Sequence, residues 1–169
     1  MSWTDFYQRR DAIDLVLARA GRNPGAGLPF ADLPEVRDQF GSREELALAL
    51  QYKWSQLLLG RLGVALLDAE VDALDAVASA WRRTAAEAPV LREVLDGYIT
   101  DAGPEFRAAL AAEQRMIAYA SGLAELGEPA AETARAGSAF LALIRDTPTQ
   151  RRCRHNPFES LIRKMATSS

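Results

Sequence analysis

Five aromatic residues, Trp54, Trp81, Phe106, Tyr119 and Phe140, fall on the apolar faces of helical patterns along this chain. Gathered between helices, they would make the wall of a small-molecule cavity, a kind of site that is mostly apolar with a few polar groups fixing orientation. Gln51, Ser55, Gln114 and Arg115 are the polar side chains placed to do that. The candidate ligand set is therefore Trp54, Trp81, Phe106, Gln114, Tyr119 and Phe140. Aromatics at helical spacing are more often plain core, so ordinary packing is the competing expectation.

Catalytic chemistry finds little support. The single histidine, His155, sits in the basic run Gln150-Arg151-Arg152-Cys153-Arg154-His155, away from any candidate nucleophile other than Cys153. No Gly-x-Ser-x-Gly turn, phosphate-cradling glycine loop or Glu-x-x-His pair occurs, so neither an enzyme, a metal centre nor a cofactor is expected. The lone cysteine cannot close an intramolecular disulfide, and with one histidine it is too little for a structural zinc site. Arginines around Cys153 would favour its thiolate, although a solvated loop ahead of a capped helix explains the run as well.

The elements that must position these residues are helical throughout. Ser2 or Thr4 can cap a first helix through Phe6, Ile13, Val16, Leu17 and Ala20, with Gly21 ending it. Residues 21–27, GRNPGAG, read as a loop. Residues 28–40 hold a short helix or two single turns, with Pro34 in a first turn and Asp32 as its cap.

Ser42 followed by Glu45 is a capping box for a long helix carrying Leu46, Leu50, Trp54, Leu57, Leu58, Leu62 and Leu66 on one stripe. Further helices run through Val71, Leu74, Val77, Ala78 and Trp81, and through Val90, Val94 and Tyr98. The next carries Phe106, Ala109, Leu110, Ile117 and Ala120, its face interrupted by Glu113. Another has Ala130, Ala134, Gly137, Phe140, Leu141 and Ile144 inward. Asn156-Pro157-Phe158-Glu159 then caps a last helix with Phe158, Leu161, Ile162 and Met165. No β-branched alternation competes, and the fold class is all-α.

At 169 residues, with 49% hydrophobic and 25% charged side chains, the chain suits one domain or a small headpiece joined to a helical body. The apolar stretch Leu57–Leu67 is interrupted by Gly60, Arg61 and Gly63, short of the roughly 18 residues needed to cross a bilayer. Asp5, Arg9, Arg10 and Asp11 stand where a signal peptide needs an apolar core, so a cytoplasmic location is expected, without membrane partners. The net charge of −3 argues against a surface devoted to nucleic acid.

The stretch Phe40-Gly41-Ser42-Arg43-Glu44-Glu45-Leu46 resembles the Phe-x-Ser-Lys-Glu-Glu-Leu junction of the tetracycline-repressor-like (TetR-like) family of regulators, with Arg43 in place of lysine. The order of helices is similar too. The resemblance implies a headpiece over 1–45 and a body over 46–169 that binds a small apolar ligand and dimerises through its last two helices. It thus points to a homodimer built on Ala134, Gly137, Leu141, Ile144, Phe158, Leu161, Ile162 and Met165. The headpiece is the departure. A helix-turn-helix needs about 20 residues, but only 13 lie between Gly27 and Gly41 and Pro34 divides them. The first 45 residues also hold six basic against eight acidic side chains, a poor footprint for phosphate. A TetR-like regulator, or a protein derived from one, with a degenerate helix-turn-helix and DNA binding weak or lost is therefore expected. The alternative is a non-enzymatic all-α interaction module with neither ligand nor DNA.

Overall fold

Ser42 begins the longest element. Its Oγ accepts the Glu45 N–H at 3.0 Å, and the Glu45 carboxylate turns back to accept the Gly41 N–H at 2.9 Å. Two otherwise orphaned donors are thereby satisfied at the start of the helix. A computed structural model describes residues 3–67 and 72–146, and this helix, α3 (Arg43–Ala65), lies at its centre. Before it come α1 (Trp3–Arg22) and α2 (Pro34–Gln39); after it come α4 (Ala73–Glu87), α5 (Pro89–Tyr98), α6 (Pro104–Ala120) and α7 (Ala130–Asp146). A short 3-10 turn, Ile99–Asp101, extends α5. There is no strand among the described residues, and none of their helices is long and apolar enough to cross a membrane.

Local chemistry sets most of the boundaries. Pro34, Pro89 and Pro104 each open a helix where a missing N–H does no harm. Asp72 caps α4, its Oδ1 accepting the Leu74 N–H at 2.7 Å. Two boundaries differ from expectation. Helix α1 continues past Gly21, with Arg22 Nε reaching back to the Ala18 carbonyl, and the chain reverses only at Gly25 and Gly27, whose φ angles are +81° and +75°. Asp32 does not cap α2: Leu33 holds that position, without a side-chain bond.

The faces also shift in places. On α3, Leu46, Leu50, Trp54, Leu58 and Leu62 point into the core, whereas Leu57 and Leu66 are exposed. On α7, Thr133 is buried and Ala130 is outside. An apolar sequence stripe is wider than the strip one neighbour can cover, so its margins are decided by which helices arrive. The core itself runs from Val16, Val36 and Phe40 through Trp54 and Leu95 to Leu141, continuous across residue 45.

The junction residues fasten α3 to three other parts of the chain. Arg43 Nη1 meets Asp101 Oδ2 at 2.9 Å, and its guanidinium lies 5.4 Å from the Tyr98 ring centre. Glu44 Oε1 accepts the Phe106 N–H at 3.2 Å, capping α6 from another helix. Glu45 pairs with Arg9 of α1 at 3.0 Å, while Arg9 also donates to the Gln39 carbonyl and stacks 4.5 Å from the Phe40 ring centre. The Gly41 N–H, then Arg9, hold the Glu45 carboxyl below its usual range.

Helix α7 packs chiefly on α6. Gly137 makes this possible, because a Cβ there would overlap the Gln114 carbonyl oxygen. Gly137→Ala should therefore lower unfolding free energy by about 2–3 kcal/mol, seen as a reduced urea midpoint. The lowered Glu45 value sets a second expectation. Because the folded value is depressed, the unfolded chain binds the proton more readily, and this stability is present above the unfolded value near 4.3. It is lost as pH falls through the folded value. Glu45→Gln should cost up to about 1 kcal/mol at pH 7 and flatten the acid limb of a pH–stability curve.

Candidate functional site

Helix α3 places Gln51 and Trp54 three residues apart on its inward face, and α6 brings Glu113 between them. Glu113 accepts the Trp54 indole N–H at 2.9 Å and an N–H from the Gln51 amide. All three are essentially out of solvent. Helix α5 supplies Arg92, whose Nη1 stands 3.9 Å from Glu113 and whose guanidinium lies 4.8 Å from the Trp54 ring centre.

The network extends outward by alternating charge. Arg92 Nη2 is 2.9 Å from Asp96 Oδ1, one helical turn on, and Arg145 of α7 approaches the same oxygen at 3.2 Å. The Arg92 N–H groups are not aimed along these contacts, so Coulomb attraction rather than a directed hydrogen bond holds them. Arg145 also covers Trp81, 5.2 Å from its ring centre, and Trp81 meets Trp54 edge to face at 5.9 Å. Two carboxylates and two guanidiniums thus interlock with two indoles across five helices, α3 to α7. A buried carboxylate of this kind requires such compensation, since desolvation is otherwise costly.

Beside this cluster runs a groove of about 400 Å³ between α3 and α6. Leu48, Tyr52, Ala109 and Met116 wall it, and Gln51 and Glu113 line its polar part. Gln51 Oε1 is buried and makes no hydrogen bond to a described residue. The site offers acceptors and apolar contact. No nucleophile is set against a base, and no group of three metal-ligating side chains occurs among the described residues.

The aromatic set divides. Trp54 and Trp81 come together, but Phe106 packs on Tyr98, ring centres 5.0 Å apart, beside the Glu44 cap. Burial, then the nearby Glu44 carboxylate, raise the Tyr98 phenol above its usual value. Gln114 is half-buried with its backbone under Gly137, Phe140 is half-buried on α7, and Tyr119 is 36% exposed. Of the residues assigned to a dimer, Gly137, Leu141 and Ile144 are buried within the single chain and Ala134 is half-buried. Phe158, Leu161, Ile162 and Met165 lie outside the described residues, as do Cys153, His155 and the basic run around them.

Glu113, Arg92, Asp96 and Arg145 are the residues that sequence reading passed over. Glu113 carried a signal: it stands seven residues after Phe106 and four before Ile117, on the buried stripe itself. A charge in that position asks for a buried partner. Glu113→Ala should cost about 3–5 kcal/mol by stranding Arg92 and the Trp54 N–H; Glu113→Gln, which keeps an acceptor for the indole, should cost less in the same denaturation series. Compared with protein-family models, characterised proteins and solved structures, the chain matches none.

Proposed function

We propose that this chain is a helical, ligand-responsive protein of TetR-like descent, a regulator or a derivative of one, acting as a dimer. A small apolar molecule carrying one hydrogen-bond donor would lie in the α3–α6 groove and reach Gln51. The observation that carries the reading is that α3 holds both ends of the device. Gln51 and Trp54 line the receptor side, while Arg43, Glu44 and Glu45, two to three turns earlier, clamp the helix to the 3-10 turn, α6 and α1. A ligand that shifts α3 against α6 therefore acts on all three clamps, which is how a binding preference becomes a change of state.

Operator reading is not part of the proposal. Only one helix, the six-residue α2, separates α1 from α3. Without a second helix there, no element of this region is available to lie in a major groove. Output would then pass through protein contacts or a heterodimer with an intact relative.

A second reading, a plain interaction module, draws on the tight packing of Trp54, Trp81 and Phe106, which leaves these aromatics as core. A screen of small lipophilic alcohols by thermal shift separates the two. Members that bind should raise the melting temperature of the wild-type chain and lose that effect in Ala112→Trp, which fills the groove. Stabilisation unchanged by that substitution, or absent across the series, would overturn the receptor.

A further inference from the structure

A second, larger groove of about 630 Å³ runs between α1 and α3 and adjoins the first, Tyr52 lining both. Phe6 and Ile13 of α1 face Tyr52 and Leu57 of α3 across it. Phe6 is 56%, Tyr52 68% and Leu57 42% exposed, so this apolar surface is covered by no described part of the chain. Its rim is cationic: Arg9, Arg10 and Lys53 line it, and no carboxylate does.

We infer that this groove binds a medium-chain acyl carboxylate, its hydrocarbon between Phe6, Ile13 and Leu57 and its carboxylate on the Arg9, Arg10 and Lys53 rim. The separation of Phe6 from Ile13 is seven residues, about 10 Å along a helix. An extended hydrocarbon advances about 1.25 Å per C–C bond, so a chain of roughly eight to ten carbons covers that length.

The cations are within reach of such a ligand. Arg9, Arg10 and Lys53 are paired with Glu45, Asp11 and Asp14, all of them acids outside the groove and 44%, 70% and 58% exposed. Arg9 is also held by the Gln39 carbonyl and the Phe40 ring. The Arg10 and Lys53 pairs are open and contribute little, so exchanging either for a ligand carboxylate costs little, and arginine donates to a carboxylate bidentately.

Charge decides against the other occupants. A second copy presenting the same face would bring three more cations to this rim. The chain's own residues 147–169 carry Arg151, Arg152, Arg154, Arg163 and Lys164 and no more than one acid, Glu159. A protein partner needs roughly 800 Å² on each side for a stable contact, far more than a groove two turns long supplies.

Sodium decanoate, kept below its micelle concentration, is the probe for the full chain, followed by calorimetry and by amide chemical shifts. Saturable one-to-one binding is expected, with shifts centred on Phe6, Ile13 and Leu57. Decanol should bind at least tenfold more weakly, and decyltrimethylammonium not measurably. Arg10→Glu with Lys53→Glu, the first at an exposed and the second at a half-buried position, should weaken decanoate at least tenfold while the circular dichroism spectrum stays unchanged. Equal affinity for decanol, undiminished binding by the charge-reversed variant, or shifts centred instead on Leu48 and Met116 would each overturn the assignment. So would a dimer that buries Tyr52 and Leu57 and excludes decanoate.

Discussion

A carboxylate almost wholly withdrawn from water organises the middle of this protein. Glu113 can be buried only because α3 offers an indole N–H and an amide N–H and α5 offers a guanidinium. Those donors fix how α3, α5 and α6 meet, for a misplaced helix would leave either a carboxylate or an arginine unpaired in the core. The geometric demands of such a network are far stricter than those of apolar contact, which tolerates sliding. The outer members, Asp96 and Arg145, bring α7 into the same arrangement, with Trp81 beneath Arg145. Apolar burial supplies the bulk of the folding drive, and the charged network selects among the packings that burial alone would allow.

The amino end of α3 has a comparable role at smaller scale. Three successive side chains, Arg43, Glu44 and Glu45, leave the first turn in different directions and end on the 3-10 turn, α6 and α1. A capping box requires only Ser42 and the third of these. The other two are used to hold distant segments, and one of them caps a second helix. Helix α3 is thus fixed at its start by exposed polar contacts and in its middle by a buried one. The two grooves lie on adjoining faces of the length between, one toward α6 and the other toward α1, with Tyr52 lining both.

The two grooves differ in a way that their linings explain. Gln51 and Glu113 give the α3–α6 groove buried acceptors and no cation on its lining, which suits a donor on an apolar body. The α1–α3 groove has the opposite polarity, with cations at its rim over aliphatic and aromatic surface. Leu57 marks the division. It belongs to the same leucine-rich run as Leu58, yet one faces the groove and the other the core, 42% and 0% exposed.

By itself the sequence determined that the chain is all-α, where most helices begin, and that Ser42 and Glu45 cap the long one. These follow from local physics: proline lacks an N–H, serine oxygen reaches the third amide on, and apolar residues at steps of three and four share a face. It also placed Trp54, Trp81 and Phe106 inside. It could not say that Phe106 would join Tyr98 while Trp54 joined Trp81, or that Gly137 would meet Gln114 of the same chain. Nor did it disclose that the interruption at Glu113 is the point where three helices join. The joint at Glu113 depends on partners 59 and 62 residues away in the chain. Helical period assigns a residue to a face, and only the packed tertiary structure decides which neighbour that face meets.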